Sequence, residues 1–147
     1  MDPEEIGQSA LRLLAAREHS MAELRRKLQA RGGGDGAVER VLAGLQEQGL
    51  LSDVRFVTDY VAERLRKGFG PLRIRSELRE RGIEAGLIAH GLELDEEVWM
   101  EVLTRAHDKK FGAASPSGRA ELARCARFLE YRGFTAAQVG RFLRFDD

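Results

Sequence analysis

The sequence has little of what stabilises a secreted or membrane-embedded protein. Its 147 residues include one cysteine, Cys125, which excludes an internal disulfide and any zinc site built from several cysteines. No stretch of about 18 apolar residues is present, which excludes a transmembrane helix. The first ten residues lack the basic start and apolar run of a signal peptide. These absences predict a protein of the reducing cytoplasm.

The sequence also lacks net charge, because 24 basic residues balance 24 acidic ones. Bulk attraction to DNA or to a membrane is therefore excluded, and electrostatic recognition requires a local patch. Charged residues make up 33% of the chain, well above the usual quarter. Such a composition indicates much surface per residue, as in an elongated array of helices.

The apolar residues follow the spacing of amphipathic helices. Pairs four residues apart, such as Leu24 with Leu28 and Ile74 with Leu78, recur along the chain, and no segment shows sustained strand-like alternation. Residues 20–23 and 135–138 have the pattern of capping boxes. Pro71 suits the first turn of a helix. The sequence therefore predicts an all-α fold.

An Arg-Gly pair recurs three times with a period of about 50 residues, at 31–32, 81–82 and 132–133. Two apolar residues four apart precede each pair, and each glycine stands where a helix would end in a left-handed residue. Each copy predicts three helices. We therefore expect three tandem three-helix repeats in one elongated, curved array, with boundaries at 1–50, 51–94 and 95–147. Residues 32–34 are expected to form a flexible connector and residues 112–118 a hinge.

Residues suited to catalysis or metal binding are scattered. The three histidines, His19, His90 and His107, lack the spacing of a metal-binding pair on a helix. We expect His19 to lie at the surface or at a helix end, and Cys125 to be a buried small hydrophobe. No phosphate-binding glycine loop is present. The sequence thus predicts no enzyme activity, no metal and no cofactor.

Arginine is distributed unevenly. From Arg64 to Arg81, seven basic residues stand against two acidic ones. Helical geometry places Arg75 and Arg79 on one face, away from Ile74 and Leu78. Such a face is either solvated, with local ion pairs such as Glu63 with Lys67, or a contact surface for carboxylates or phosphates of a partner.

The candidate partner-binding residues comprise this window and the preceding helix: Arg55, Arg64, Arg66, Lys67, Arg73, Arg75, Arg79 and Arg81. A second set lies in the third repeat: Arg124, Arg127, Arg141 and Arg144. Trp99, Val102, Leu103 and Ala106 are expected in the core. Two aromatics, Phe128 and Phe145, fall off the apolar faces of their helices and are either packed between repeats or exposed.

Six segments, in order along nearly the whole chain, resemble the RecX family. The most specific are Leu51-Ser52-Asp53-Val54-Arg55-Phe56 and Gly70-Pro71-Leu72-Arg73-Ile74. The others lie at 10–24, 77–83, 110–112 and 127–134. The resemblance implies three tandem three-helix repeats in a curved shape.

The resemblance also implies a function. Members of the family modulate, and usually inhibit, the RecA recombinase in homologous recombination and DNA repair. They lie in the groove of the RecA–DNA filament, where they interfere with ATP hydrolysis, strand exchange and filament growth. A monomer acting on that filament, away from membranes, is the expectation. An autonomous helical DNA-binding protein is the alternative, and direct contact with DNA stays open.

Overall fold

A computed structural model describes residues 1–144. Over this range the chain forms nine α-helices and no strand, which confirms the predicted all-α fold. The helices are α1 (Pro3–Ala16), α2 (Met21–Ala30), α3 (Asp35–Glu47), α4 (Asp53–Arg66), α5 (Pro71–Glu80), α6 (Ala85–Gly91), α7 (Glu96–Phe111), α8 (Arg119–Tyr131) and α9 (Ala136–Leu143).

Local hydrogen bonds fix where the helices begin. Ser20 and Thr135 form the predicted capping boxes of α2 and α9, and α5 begins at Pro71 as expected. The first helix begins at Pro3. There the side chain of Asp2 accepts a hydrogen bond from the Glu5 N–H at 2.8 Å, and a proline in the first turn costs no backbone bond.

The middle helices of the three repeats are equivalent. The six apolar residues that precede the Arg-Gly pairs are all 0% exposed: Leu24, Leu28, Ile74, Leu78, Cys125 and Leu129. The glycine that follows each helix has a positive φ, of 95° at Gly32, 75° at Gly82 and 98° at Gly133. Each glycine N–H donates to the carbonyl oxygen three residues back, at 3.0 Å. The three tandem three-helix repeats are confirmed.

The described chain divides into two compact units. Unit 1 comprises residues 1–58 and 78–88, and unit 2 comprises residues 59–77 and those from 89 onward. In unit 1 the helices α1, α2 and α3 pack around a core that includes Ile6 and Leu42. In unit 2 the helices α7, α8 and α9 pack around Leu103 and Phe134. Trp99, Val102, Leu103 and Ala106 are buried, as predicted. The repeat boundaries at 1–50, 51–94 and 95–147 stay a prediction.

Within unit 1, the start of α2 packs against the turn that follows α5. The Ser20 hydroxyl donates to the carbonyl oxygen of Arg81 at 2.6 Å. A Cβ atom on Gly82 would collide with that of Ala22, so only glycine permits this approach. We call this the α2 contact: residues 20–23 against Arg81 and Gly82.

Within unit 2, the start of α5 packs in the same way against the turn that follows α8. The Gly70 N–H donates to the carbonyl oxygen of Arg132 at 2.8 Å, and the Leu72 N–H donates to that of Gly133 at 2.9 Å. A Cβ atom on Gly133 would collide with that of Arg73. We call this the α5 contact: residues 70–73 against Arg132 and Gly133.

The glycine triplet after α2 does more than connect two helices. A Cβ atom on Gly33 would lie 2.8 Å from Cγ2 of Val38 and 2.9 Å from the carbonyl oxygen of Leu28. The Gly33 N–H donates to that same carbonyl at 3.0 Å. The segment predicted as a flexible connector therefore includes a closely packed position.

Candidate partner-binding surface

In unit 1, two of the three predicted arginines take part in structural contacts. Arg55 Nε donates to Glu18 Oε1 at 2.7 Å, and its Nη1 donates to the carbonyl oxygen of Gly49 at 2.8 Å. Arg81 Nε lies 3.9 Å from Glu23 Oε2. Arg79, in contrast, is exposed on α5.

In unit 2, the predicted basic residues at the end of α4 share one carboxylate. Glu63 pairs with Arg66 at 2.7 Å and with Lys67 at 3.3 Å, so the ion pair predicted between Glu63 and Lys67 is present. The three side chains are between 46% and 68% exposed, and such pairs contribute little to stability. Arg75 on α5 is also exposed, and within residues 1–144 it has no ion-pair partner.

Two further predicted residues, Arg64 and Arg73, converge on a half-buried cluster. Arg64 Nη2 lies 2.7 Å and Arg73 Nε 3.3 Å from Glu77 Oε2. The Tyr60 hydroxyl donates to the other oxygen of Glu77 at 2.8 Å. Both guanidinium groups lie over the ring of Phe69, with Cζ at 3.8 Å and 4.6 Å from its centroid.

Arg132 adds a third guanidinium group to this cluster. Its Cζ lies 4.8 Å from the centroid of Phe69. Burial, followed by the charges of Arg73 and Arg64, lowers the pKa of Arg132. Sequence reasoning did not select this residue as a candidate.

Among the described residues of this cluster, one is a carboxylate, Glu77, and it pairs with Arg64 and Arg73. Burial acts to raise the pKa of Glu77, but the Tyr60 bond and the arginines outweigh it and lower that pKa. Glu77 is therefore ionised at neutral pH. The Nε of Arg64 is buried and, among the residues described, has no hydrogen-bond partner. The cluster thus keeps uncompensated positive charge.

Next to this cluster, unit 2 has a cleft of about 250 Å³. Six cationic side chains line it, with Gly68, Ala106 and Phe128: Arg66, Lys67, Arg105, Lys109, Lys110 and Arg132. Sequence reasoning selected Arg66 and Lys67 and missed the other four. The four-residue spacing of Arg105 and Lys109, which places them on one face of α7, is the signal that identifies part of this set.

The second set of predicted residues lies apart from this cleft lining. Arg124 and Arg127 are exposed on α8, and Arg144 is exposed after α9. Arg141 Nη2 pairs with Glu97 Oε1 at 2.9 Å.

The two aromatics left open by the sequence have different outcomes. Phe128 is partly buried and contacts the ring of Phe111, with centroids 5.4 Å apart in an edge-on arrangement. Phe145 lies outside the described residues.

His19 lies at a helix end, one of the two positions predicted for it, but it is buried there. Its side chain is 1% exposed, although it does directly precede the cap of α2. Nδ1 lies 3.0 Å from the carbonyl oxygen of Arg17, and Nε2 lies 2.9 Å from Nζ of Lys27. Burial, together with the charges of Arg17 and Lys27, lowers the pKa of His19. A neutral ring that donates from Nδ1 and accepts at Nε2 satisfies both contacts.

Cys125 is buried as predicted, beside a histidine that the sequence did not connect with it. Cys125 Sγ lies 3.6 Å from Nε2 of His107, whose Nδ1 lies 3.0 Å from Asp108 Oδ1. The three groups follow the order of a nucleophile, a base and an orienting carboxylate. Burial raises the pKa of the Cys125 thiol, and the residue is 0% exposed. This arrangement is therefore a core contact.

Two other kinds of site are not found in the part of the chain that the structure describes. No group of three or more histidine, cysteine, aspartate or glutamate side chains there is placed to hold a metal ion. None of its helices is long and apolar enough to cross a lipid bilayer.

Three family models match the chain, one for each repeat. The model of the first three-helix domain of RecX matches residues 8–45, that of the second matches 52–92, and that of the third matches 96–143. Together they account for most of the sequence.

Relatives and solved structures agree with these matches. Regulatory protein RecX of Halorhodospira halophila is 46% identical over 92% of this chain and 84% of its own length. That of Ectopseudomonas mendocina is 41% identical over 97% and 95%. The crystal structure of RecX from Lactobacillus salivarius superposes with a TM-score of 0.85 at 17% identity, covering 97% of this chain and 94% of the other. A second crystal structure, of a regulatory protein RecX, gives 0.80 at 22% identity over 99% and 72%. The chain belongs to the RecX family of regulatory proteins.

Proposed function

We propose that this protein binds the RecA recombinase filament on DNA and inhibits its ATP hydrolysis, strand exchange and growth. Family membership supports the choice of partner. On this proposal the protein acts by binding, as a monomer and without a cofactor, and not by catalysing a reaction. We place the activity in the cytoplasm, where a protein with a single cysteine remains reduced.

One observation carries the choice of surface. On α5, the neighbouring Arg73 is engaged with Glu77, whereas Arg75 and Arg79 are exposed and have no ion-pair partner within residues 1–144. Two unpaired guanidinium groups four residues apart on one helix suit the carboxylates and phosphates of a filament. We therefore propose that α5 contributes Arg75 and Arg79 to the contact with RecA.

The function is tested by the steady-state rate of ATP hydrolysis by RecA on single-stranded DNA. We expect the rate to fall as the protein is added. An unchanged rate with a stoichiometric excess of folded protein would refute the proposal.

The surface is tested by the double variant Arg75→Ala/Arg79→Ala. We expect its melting temperature to be nearly that of the parent and its inhibition to be weaker, because exposed charges affect association more than stability. The difference from the parent should shrink as salt is added, since screening weakens the contacts that the variant has lost.

A matched control removes two exposed charges from unit 1, through Arg26→Ala/Arg40→Ala. If Arg75→Ala/Arg79→Ala inhibits as strongly as this control, α5 is not the contact. The second set of candidates then becomes the next to test: Arg124, Arg127, Arg141 and Arg144.

A further inference from the structure

The cleft in unit 2 is distinguished by its one-sided charge. Six cationic side chains line a volume of about 250 Å³, and no acidic side chain is among the lining residues. Glu63 pairs with Arg66 and Lys67 but does not line the cleft. In a chain without net charge, this concentration of cations produces a local field that attracts anions.

Two of the cations are held in place by the backbone. Arg105 Nη2 donates to the carbonyl oxygen of Leu65 at 3.0 Å, and Arg132 Nη1 donates to that of Lys67 at 2.8 Å. A guanidinium group carries five N–H donors, so each arginine retains others for a ligand. Groups held in position before binding lose less conformational freedom when the ligand arrives.

The adjoining cluster strengthens the case for an anion. The pKa of Arg132 is lowered by burial and then by the charges of Arg73 and Arg64, which indicates that these cations repel one another. An anion that contacts Arg132 would offset this repulsion. The cleft therefore favours a ligand with concentrated negative charge over a neutral one.

An aromatic ring on the lining narrows the class of anion. Phe128 is partly buried, and Arg132 Cζ and Lys110 Nζ lie 5.0 Å and 6.0 Å from its centroid. Sites for single-stranded nucleic acid typically combine cations placed along the phosphates of the strand with an aromatic ring that contacts a base or sugar. The volume is below the roughly 300–1,000 Å³ of pockets that enclose a drug-sized ligand. It suits a phosphate with its sugar.

We propose that this cleft binds the phosphodiester backbone of single-stranded DNA. The inference deepens the proposed function and rests on it for the biological setting, because a recombinase filament holds such a strand. Phosphate contact by the cleft itself does not require RecA.

The first experiment measures the binding of a fluorescently labelled single-stranded oligothymidine by anisotropy, across a range of salt concentrations and without RecA. The test variant is Lys109→Ala/Lys110→Ala, whose side chains are exposed. The control is Arg26→Ala/Arg40→Ala, which removes the same charge from unit 1. Thermal melting verifies that all three proteins are folded.

We expect the Kd of the Lys109→Ala/Lys110→Ala variant to rise roughly tenfold at about 0.1 M salt, with the control close to the parent. The dependence of log K on log salt should become shallower by about 1.4, since each cation that neutralises a phosphate of a single strand contributes about 0.7. Equal binding by variant and control would overturn the proposal. If the variant melts at the temperature of the parent and its salt slope is also that of the parent, the proposal is overturned as well.

A second set of measurements distinguishes the sources of negative charge. Unlabelled oligothymidine, inorganic pyrophosphate and polyglutamate are compared as competitors. Concentrations are expressed per phosphate group or carboxylate, and on this scale we expect the oligonucleotide to compete at the lowest concentration. Equal competition by pyrophosphate would make the cleft a site for free phosphates, and equal competition by polyglutamate a site for acidic protein segments. Either outcome overturns the proposal.

The ring is tested separately by Phe128→Leu, which keeps an apolar side chain and every cation. We expect weaker binding with an unchanged salt slope, because a stacking surface is lost and no charge is removed. Binding as tight as that of the parent would refute a role for the ring and, with it, the choice of a nucleic acid strand.

The two proposals fail in different ways. A protein that binds the oligonucleotide through the cleft but leaves RecA ATP hydrolysis unchanged would refute the proposed function and support the cleft. A protein that inhibits RecA but shows no loss of oligonucleotide binding in Lys109→Ala/Lys110→Ala would support the proposed function and refute the cleft.

Discussion

The α2 contact in unit 1 and the α5 contact in unit 2 both pack a helix start against a turn that contains glycine, but they differ in electrostatics. In both, the start of one middle helix is hydrogen-bonded to an arginine carbonyl in the turn after the next middle helix, at 2.6 Å to Arg81 and 2.8 Å to Arg132. In both, a glycine in that turn admits the close approach. The acceptor is therefore a backbone carbonyl in both contacts, whereas the donor is a side-chain hydroxyl in the α2 contact and a backbone N–H in the α5 contact.

The side chains at equivalent positions differ in charge. Glu23 precedes the buried Leu24, and Arg73 precedes the buried Ile74. In the α2 contact Glu23 therefore attracts Arg81, whereas in the α5 contact burial, and then repulsion by Arg73 and Arg64, lowers the pKa of Arg132. A contact that stability alone shaped would pair opposite charges in both places. Departures of this kind are expected at functional sites, and this one adjoins the basic cleft.

The largest effect on the free energy of unfolding is expected at buried positions that are equivalent in the two units. Leu28 and Leu129 hold equivalent places in their repeats, and both are 0% exposed. Replacing a fully buried leucine with alanine costs roughly 2–5 kcal/mol. We expect Leu28→Ala and Leu129→Ala each to lower the free energy of unfolding by an amount in this range, measured by urea denaturation. A change below about 0.5 kcal/mol in either variant would contradict the equivalence of the repeat cores.

The close approach at the glycines should be costly to disturb. In Gly133→Ala and Gly82→Ala the new methyl group collides with a neighbouring Cβ and the residue keeps a positive φ. Overpacking and left-handed strain together cost roughly 3 kcal/mol. Gly32→Ala is the matched control, because its φ is 95° and nothing lies within 4 Å of the added Cβ. It should cost about 1 kcal/mol, from strain alone.

Melting temperatures of the three glycine variants check this prediction. If Gly32→Ala is as damaging as Gly133→Ala, strain alone explains the glycines and the close contacts are unimportant. If all three variants are neutral, the turns do not hold the positive φ that the structure shows.

The sequence predicts the repeat well, and its success and failure have physical reasons. Each repeat needs two buried apolar residues and a residue with a positive φ at the same places. Few residue types suit these places, so the period of about 50 residues is visible in the sequence. The capping box correctly places His19 at a helix end, but it does not predict the burial of the ring, because helix ends are usually solvated. Only the fold shows that Lys27 and the carbonyl of Arg17 satisfy both ring nitrogens.

The candidate site is less accessible to sequence reasoning. The window from Arg64 to Arg81 stands out as a local excess of charge, yet the structure engages Arg64 and Arg73 with Glu77. The cleft combines Arg66 and Lys67 with Arg105 and Arg132, which lie far apart in the sequence. No pattern of neighbouring residues in the sequence predicts that the fold brings these four side chains together.

Glu77, which pairs with Arg73 of the α5 contact, and Glu23 of the α2 contact should differ in their contribution to the free energy of unfolding. Glu77 pairs with both Arg64 and Arg73, so Glu77→Gln removes the negative charge that holds these two guanidinium groups. We expect a cost of about 2 kcal/mol at pH 7, the value typical of a hydrogen bond to a charged group. Glu23→Gln should cost about 1 kcal/mol, because glutamine retains a capping bond to the Ser20 N–H.

Lowering the pH should remove the cost of both Glu77→Gln and Glu23→Gln. In each case burial acts to raise the pKa of the carboxyl, but hydrogen bonds and the arginine charges outweigh it and lower the pKa of Glu23 and of Glu77 below 4.5. A lowered pKa in the folded state stabilises the protein above the unfolded value, and this stability is lost as pH falls through the folded value. Urea denaturation between pH 7 and pH 3 should show the cost of both substitutions declining below about pH 4.5. A cost independent of pH would assign these residues a packing role.

The smallest predicted effect is the sharpest test of the comparison, because it concerns a sign. Arg81 and Arg132 hold equivalent positions, but Arg81 is attracted by Glu23 and Arg132 is repelled by Arg73 and Arg64. Salt screens both interactions. The electrostatic cost of Arg81→Gln should therefore decrease as salt rises, since the attraction that it removes is already weakened. The cost of Arg132→Gln should increase, since the variant relieves a repulsion that salt also relieves in the parent. Each change is expected to be a few tenths of a kcal/mol between about 0.05 and 0.5 M sodium chloride. Calorimetric melting of both variants and the parent at these concentrations measures the two slopes. Slopes of the same sign would show that the α2 and α5 contacts do not differ in charge as their residues indicate.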